Sequence, residues 1–277
     1  MKKGTLWLVA TPIGNMEDIT ARALRILGEA DIVACEDTRR TMPLLARHGV
    51  RKRLVSYYGA REKGKARELI ALLLEGKNVA LVSDAGMPGI SDPGALVVRE
   101  AIGEGIDVIP VPGATAVAAA LAASGLDTAR FSFEGFLPKR AQERRERLVE
   151  LSHDTRTLVF YESPRRVAET LRVMLHVMGD RRAVVARELT KIHEEFIRGT
   201  LSDVIDLVGG GEVRGEVVIV LAGAQEETDW TKVDLPAYVR HLEEKLGIDR
   251  KSALKLAARL SGVSKSGLYR QVSQRRM

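Results

Sequence analysis

The chain has few of the residues that build disulfides, metal sites or stacking surfaces. Its 277 residues include one cysteine, five histidines and twelve aromatic side chains. The lone Cys35 cannot form an internal disulfide, and the dispersed histidines show no metal-ligand spacing. The sequence therefore predicts a protein of a reducing compartment that holds no metal. So few aromatic rings also argue against nucleic-acid binding by stacking on many bases.

Long hydrophobic runs are missing too. The longest, such as residues 114–123, extend for about ten residues, roughly half of what a membrane-spanning helix requires. The N-terminus has two lysines but then enters a strand and a turn, without the apolar core or cleavage site of a signal peptide. We therefore expect a cytoplasmic protein with no membrane contact.

The positive charge lies at one end of the chain. The net charge is +6, and residues 228–277 contain eleven basic and five acidic residues, which is also +6. Residues 1–227 therefore balance at zero. A basic tail favours an anionic partner, and binding that depends on phosphate contacts would be sensitive to salt.

Apolar runs alternate with segments of helical period, which predicts an α/β fold. A glycine turn at 209–211 before the last apolar run indicates that the last strand returns antiparallel or by a short loop. The predicted strands are 5–11, 32–35, 78–83, 106–111, 130–136, 157–161, 183–188 and 216–222. The predicted helices of the same region are 18–28, 62–75, 95–104, 114–124, 141–151 and 164–178.

We divide the chain into an N-terminal α/β domain (1–112), a second α/β domain (113–227) and a small helical module (228–277). The module has predicted helices at 235–246, 250–260 and 265–274, spaced like a helix-turn-helix. Its apolar residues would pack together: Leu254, Ala257, Ala258, Leu260, Val263, Leu268 and Val272. Three-helix packing without a nucleic-acid role, or a dimer contact, remain alternatives.

Three predicted strands end in turns rich in glycine and proline, at residues 11–15, 83–94 and 111–115. Open α/β folds bind ligands at the carboxyl ends of their strands, so these loops predict a shared crevice. Neither a dinucleotide-binding nor a P-loop phosphate motif is present. Each loop alone could serve only to turn the chain, but the twelve-residue second loop is long for that role. Its Asp84 is the candidate ligand group, with capping of the following turn as the alternative.

Six ordered motifs resemble the tetrapyrrole methylase superfamily, and within it the branch that methylates RNA of the small ribosomal subunit. The similarity extends from Leu6 to Tyr269, with motifs at 8–15, 30–39, 83–94, 111–116, 160–166 and 186–191. The resemblance implies two α/β domains with S-adenosyl-L-methionine folded into the cleft between them, usually as a homodimer. It also implies 2′-O-methylation of a cytidine ribose in the decoding region of 16S rRNA, within the 30S subunit.

On the matching positions, the resemblance implies cofactor contacts at Thr11, Pro12, Gly14, Ser83, Asp84, Met87, Thr115, Ala116, Tyr161 and Ala222. Pro12 departs from the broader superfamily, which favours glycine there. Small residues at 114–119 are compatible with a flat adenine, because they let the backbone approach it.

Methyl transfer to a ribose hydroxyl requires aligned reactants and a group that accepts the hydroxyl proton. Our candidates stand at predicted strand ends: Glu36, Asp37 and Glu188. Broader superfamily members carry a catalytic acidic residue at the position of Glu36. For each of the three candidates, the alternative to a catalytic role is an ordinary salt bridge. The predicted RNA contacts are Arg39, Arg40, Arg144, Arg165, Lys251, Lys255, Lys265 and Arg270, against the alternative of solvated charged surfaces.

Two other functions fit part of this pattern. The same cofactor and fold could methylate a tetrapyrrole such as a cobalamin precursor, although a small acidic macrocycle does not need a basic helical tail. A regulator without enzymatic activity could bind nucleic acid through the tail and sense a small molecule with the neutral α/β part.

Overall fold

The computed structural model describes residues 2–57, 62–209, 215–225 and 228–274. The chain divides into two compact units, one of Met1–Ala119 with Glu188–Glu194, the other of Ala120–Arg187 with Glu195–Met277. Each unit has its own five-stranded sheet, so the predicted α/β class is confirmed. Residues 228–277 belong to the second unit, and whether they form a separate domain stays a prediction. No helix in the described residues is long and apolar enough to cross a membrane.

The sheet of the first unit is parallel throughout, with strand order β3-β2-β4-β1-β5. Its strands are β1 (Thr5–Val9), β2 (Ile32–Cys35), β3 (Arg53–Ser56), β4 (Val79–Leu81) and β5 (Asp107–Val111). The helices of this part of the chain are α1 (Ala21–Glu29), α2 (Thr38–Arg47), α3 (Glu62–Leu74), α4 (Ala95–Gly103) and α5 (Ala116–Ala122).

Helices cover both faces of this sheet, which explains why its central strands are apolar without alternation. β2 and β4 are buried along their whole length. Ala34 and Leu81 lie in an apolar cluster with α3 and α4, whereas Val33 and Ala80 lie in a second cluster with α1. Successive side chains of a strand point to opposite faces, so each face has its own core.

The second unit has a mixed sheet with strand order β6-β7-β10-β8-β9. Its strands are β6 (Phe131–Phe136), β7 (Thr157–Glu162), β8 (Arg182–Arg187), β9 (Glu195–Thr200) and β10 (Val217–Leu221). Its first three helices are α6 (Ala141–Leu151), α7 (Val167–Met178) and α8 (Leu201–Gly209). β10 pairs antiparallel with β7 and β8, which confirms the predicted return of the last strand.

The sequence prediction missed four elements: α2, β3, β9 and α8. β3 and β9 are edge strands without a fully buried residue, so they lack the apolar signal of central strands. α2 contains a proline and begins with charged residues. The apolar run before the 209–211 turn belongs to α8, whose buried Leu201, Val204 and Val208 follow the helical period. Residues 210–214 lie outside the described residues.

Three further helices, α9 (Leu235–Leu246), α10 (Arg250–Ser261) and α11 (Lys265–Gln274), form the predicted helical module. Asp234 and Asp249 cap the starts of α9 and α10, and Gly247 and Gly262 end them in the left-handed conformation. The predicted apolar residues are buried or partly buried and share one core with α6 and α7. The module therefore packs on the sheet unit through its apolar face.

Candidate functional site

The three glycine- and proline-rich loops lie together at the carboxyl edge of the parallel sheet. Thr11 and Gly86 exchange two backbone hydrogen bonds, of 2.9 and 3.0 Å, so the first loop pairs with the second. The Ala10 amide donates to the Val111 carbonyl, and a Cβ added to Gly113 would lie 2.9 Å from the Ala10 Cβ. The third loop therefore requires glycine where it crosses the first.

Three of the predicted cofactor residues build these loops. Thr11, Pro12 and Ser83 are buried, and the Thr11 hydroxyl donates to the Ser83 carbonyl at 3.1 Å. The Ser83 hydroxyl donates to the carbonyls of Ala85 and Gly86, both at 3.2 Å. Their side chains thus shape the second loop from within.

The other predicted cofactor residues of this unit are accessible. Gly14 is exposed, and Asp84, Met87, Thr115 and Ala116 are partly exposed along the same edge. The two remaining predicted contacts belong to the second unit, where Tyr161 lies near the end of β7 and Ala222 directly follows β10.

Asp84 connects the second loop to the start of α2. Its Oδ1 accepts the Asp37 amide at 3.0 Å, and its Oδ2 lies 3.5 Å from the Arg40 Nε. The carboxylate therefore reaches across to the end of the neighbouring strand β2, rather than capping its own turn. This contact positions Glu36, the residue just before Asp37.

Glu36 and Asp92 have raised carboxyl pKa values. Burial raises the pKa of Glu36 most, followed by the negative charges of Asp84 and Asp92, while Arg40 and the Asp84 amide oppose the shift. Burial and Asp84 also raise the pKa of Asp92, against a hydrogen bond from Ser83. A raised pKa makes a carboxylate a better proton acceptor near neutral pH. Asp92 was not among the predicted site residues, although it lies in the same loop as Asp84.

Asp37 has the opposite electrostatic character. Its carboxylate caps α2 by accepting the Arg39 amide at 2.9 Å, and it also binds the Arg39 guanidinium, with the shortest contact at 2.7 Å. These contacts with Arg39 lower the pKa of Asp37 to about 2. The geometry therefore favours Glu36 over Asp37 as a proton acceptor.

A strained segment from the β8–β9 connection packs against the first loop. Glu188 and Thr190 have positive φ angles of 51° and 64°, which cost non-glycine residues on the order of 1 kcal/mol each. The Thr190 hydroxyl accepts the Asn15 amide at 3.0 Å, and Lys191 lies against Gly14. The Glu188 carboxylate binds the Lys191 ammonium at 2.8 Å. Strain of this kind concentrates at functional sites, and these contacts hold the third catalytic candidate beside the loops.

Most predicted RNA contacts are exposed: Arg39, Arg40, Arg165, Lys251, Lys255, Lys265 and Arg270. The prediction that Arg144 contacts RNA is wrong. It is 2% exposed, and its guanidinium binds Glu169. Arg144 shares a helix face with Leu148 and Leu151, at spacings of four and seven residues, and this face is buried. Arg144 therefore has a structural role, because its guanidinium is not presented to solvent.

Within the described ranges, no group of three or more histidine, cysteine, aspartate or glutamate side chains could hold a metal ion. The carboxylates at the loop edge are bound by amides, hydroxyls and guanidinium groups of the protein.

The family described as "Tetrapyrrole (Corrin/Porphyrin) Methylases" matches residues 5–205. Among curated relatives, the ribosomal RNA small subunit methyltransferase I of Halalkalibacterium halodurans is 47% identical over 96% of this chain and 94% of its own length. The protein of the same name from Thermotoga maritima is 49% identical over 80% of this chain and all of its own length.

Solved structures share the fold at lower identity. Diphthine synthase matches with a TM-score of 0.61 and 20% identity, covering 79% of this chain and 90% of its own. Uroporphyrin-III C-methyltransferase from Thermus thermophilus, complexed with S-adenyl homocysteine, matches with a TM-score of 0.57 and 22% identity, covering 79% and 97%.

Proposed function

Because this chain belongs to the tetrapyrrole methylase family, and within it to the group named ribosomal RNA small subunit methyltransferase I, we propose that it methylates 16S rRNA. The methyl group passes from S-adenosyl-L-methionine to the ribose 2′-oxygen of a cytidine in the decoding region, with the 30S subunit as the substrate. The observation that carries this proposal is the high identity to relatives of that name along nearly the whole chain.

The loop edge of the first unit has the chemistry to hold S-adenosyl-L-methionine. The negative charges of Asp84 and Asp92 add to the larger effect of burial in raising the pKa of Glu36, and carboxylates gathered at this edge suit a sulfonium cation. The cofactor would contact the accessible residues Gly14, Asp84, Met87, Thr115 and Ala116, together with Tyr161 and Ala222 of the second unit. Thr11, Pro12 and Ser83 would shape the loops. When bound, the cofactor supplies an activated methyl group.

Glu36 is the proposed acceptor of the ribose hydroxyl proton. Its raised pKa favours proton transfer, and the Asp84 amide holds its carboxylate in place. Asp37 stays ionised and bound to Arg39, so we assign it to the positioning of α2. Glu188, which binds Lys191, remains a second catalytic candidate. Its proposed role is to align the first loop with the substrate.

We propose that the exposed cations of α10 and α11 bind the phosphates of ribosomal RNA. Lys251, Lys255, Lys265 and Arg270 all face solvent on the outer surface of the helical module. Arg39, Arg40 and Arg165 would add phosphate contacts from the two sheet units. We also propose that the protein works as a homodimer in the cytoplasm; light scattering on the purified protein tests the dimer.

Incubation with tritiated S-adenosyl-L-methionine tests the function. The acceptors are 30S subunits, free 16S rRNA and a tetrapyrrole precursor, each in a separate reaction. We expect label in the 30S subunits, and nucleoside mass spectrometry should identify it as 2′-O-methylcytidine. Label only in the tetrapyrrole would establish the alternative enzyme, and binding of RNA without any label would favour a regulator.

A further inference from the structure

A pair of aromatic rings lies at the carboxyl ends of β6 and β7 in the second unit. These strands are parallel neighbours, and Phe136 stands opposite Tyr161 in their register. The two ring centroids are 5.6 Å apart with planes at 59°, and the Phe133 ring contacts Tyr161 from 4.9 Å. Phe136 is nevertheless 59% exposed. A large ring that packs on one neighbour while remaining open to solvent offers a surface to a ligand.

A β-bulge places Phe136 in this pair. The register between β6 and β7 shifts between Phe133 and Gly135, so Glu134 is the extra residue, and Gly135 has a positive φ of 63°. In a regular strand, Phe136, three positions after Phe133, would point to the opposite face of the sheet. The bulge returns it to the face of Phe133 and Tyr161. Bulges commonly re-aim a side chain in this way beside functional sites.

The loops that follow the two rings carry cations. The loop after β6 carries Lys139 and Arg140, and the loop after β7 carries Arg165; all three are exposed. Arg166 joins the two loops by donating to the carbonyls of Leu137 and Pro138, at 3.3 and 3.1 Å.

The acid between these loops is not open to solvent. The buried carboxylate of Glu162 accepts the Thr170 hydroxyl at 2.7 Å and the Ser163 amide at 2.8 Å. The exposed charged residues of these two loops, Lys139, Arg140 and Arg165, are therefore basic, and Arg140 forms an ion pair with the exposed Glu143 of α6 at 3.0 Å.

We propose that this aromatic corner, defined as Phe136, Lys139, Arg140 and Arg165 with Tyr161 supporting the Phe136 ring, binds an unpaired nucleotide of the RNA substrate. The base stacks on the Phe136 ring, and the phosphates on either side of that nucleotide contact the cations. A nucleotide presents a flat face together with negative charge, which matches an exposed ring among guanidinium and ammonium groups. The corner would hold the base while the ribose is methylated, so this inference rests on the proposed function.

Four variants separate stacking from general packing. Phe136→Ala removes the ring, Phe136→Leu keeps an apolar side chain without a stacking face, and Phe136→Trp keeps a stacking face. Leu207→Ala is the control, because Leu207 is a large apolar side chain of the same unit and is 65% exposed. Thermal melts and calorimetry with S-adenosyl-L-methionine verify that each variant folds and retains the cofactor site.

The probes are fluorescent dodecacytidylate and an abasic oligomer with the same number of phosphates. We expect Phe136→Ala and Phe136→Leu to bind dodecacytidylate about tenfold more weakly than wild type, with affinity retained in Phe136→Trp and Leu207→Ala. The abasic oligomer should bind wild type and all variants alike, because it offers charge without a base. Equal dodecacytidylate affinity for wild type and Phe136→Ala, or wild-type affinity in Phe136→Leu, would overturn the stacking site.

Methylation of 30S subunits is measured in parallel. The Phe136→Ala variant should raise the KM for subunits with the affinity for S-adenosyl-L-methionine unchanged. If wild type does not label 30S subunits, the proposed function fails, while the oligonucleotide comparison still decides whether Phe136 stacks on a base. If Phe136→Ala binds RNA normally but dissociates a dimer in light scattering, the corner is an interface between copies of the chain and the inference is wrong.

Discussion

Asp84 illustrates how one side chain serves both the fold and the electrostatics of the loop edge. Its Oδ1 holds the Asp37 amide at the start of α2, and its negative charge adds to the larger effect of burial in raising the pKa of both Glu36 and Asp92. Substitutions that remove the acceptor and the charge separately can therefore distinguish the two roles.

We predict different outcomes for Asp84→Asn and Asp84→Ala. Asparagine keeps an oxygen that can accept the Asp37 amide but removes the charge, so it should weaken S-adenosyl-L-methionine binding with little change in stability. Alanine removes both and should also lower the free energy of unfolding by about 1–3 kcal/mol, because a partly buried amide loses its acceptor. Calorimetry and urea denaturation measure the two effects. Wild-type cofactor affinity in both variants would leave Asp84 with a structural role only.

The pKa difference between Glu36 and Asp37 predicts which of them controls activity. As pH falls through the raised pKa of Glu36, its carboxylate is protonated and can no longer accept the ribose proton, so activity should decline there. Glu36→Gln should lower kcat by roughly 10²- to 10⁴-fold and remove this dependence on pH.

Asp37→Asn is the matched control for Glu36→Gln. Asparagine is as good a helix cap as aspartate, and a carboxyl with a pKa of about 2 contributes no change in charge over the working range of the enzyme. The variant should retain most activity with an unchanged pH profile. A larger loss of kcat in Asp37→Asn than in Glu36→Gln would reverse the assignment.

At the scale of elements, a hydrogen-bonded aromatic cluster joins the end of α6 to α9. The His153 Nδ1 lies 2.6 Å from the Thr228 hydroxyl, and its Nε2 lies 3.1 Å from the Tyr238 hydroxyl. Trp230 packs edge-on against both His153 and Tyr238. Burial raises the pKa of Tyr238 to about 12, and burial together with Arg181 lowers the pKa of His153. Both shifts favour the neutral forms of His153 and Tyr238 in the folded protein.

This cluster predicts that acid destabilises the second unit. Below the ordinary histidine pKa of about 6.5, the unfolded chain takes up a proton that folded His153 resists, so stability declines as pH falls from there to the lowered folded pKa. Above about 6.5 this contribution is fully present. The decrease in melting temperature between pH 8 and pH 5 should be smaller in His153→Phe than in wild type. His193→Gln, at an exposed position, is the control and should melt like wild type at both pH values.

For the whole molecule, the uneven charge distribution is the basis for our proposal that the helical module is the main electrostatic contact with RNA. Lys251, Lys255, Lys265 and Arg270 of the module face solvent, whereas its apolar residues share a core with α6 and α7. Deleting residues 228–277 would therefore expose apolar surface of the second unit as well as remove charge. Neutralising the exposed cations tests the charge alone.

We predict that glutamine at Lys251, Lys255, Lys265 and Arg270 weakens binding to 30S subunits and flattens its salt dependence. Each lost phosphate contact should reduce the slope of log K against log salt by about 0.7–0.9. The melting temperature should stay near that of wild type. The control replaces four exposed cations of the first unit, Arg22, Arg47, Arg51 and Lys77. An equal loss of slope in the control would show that total charge matters and its position does not.

The α/β class, the three loops rich in glycine and proline and the solvent-facing cations of α10 and α11 were predictable from the sequence alone. An antiparallel or short-loop return of the last strand was also predicted, although the apolar run at 204–208 on which that prediction depended is helical. These features follow from local period, glycine and proline positions and the order of charges, all of which are written in short segments. The sequence prediction missed the edge strands β3 and β9 because neither exposed strand has a distinctive apolar pattern.

Which polar residues face solvent, and which charges lie next to each other, depends on the tertiary structure. In the sequence, Arg144 is one of several cations in a basic run, but in the structure it lies on the buried face of α6. Asp84 and the Asp37 amide are 47 residues apart in sequence, and Asp92 affects Glu36 from another loop. The pKa of a carboxyl depends on burial and on neighbouring charges, and both arise when β2 and β4 pair side by side.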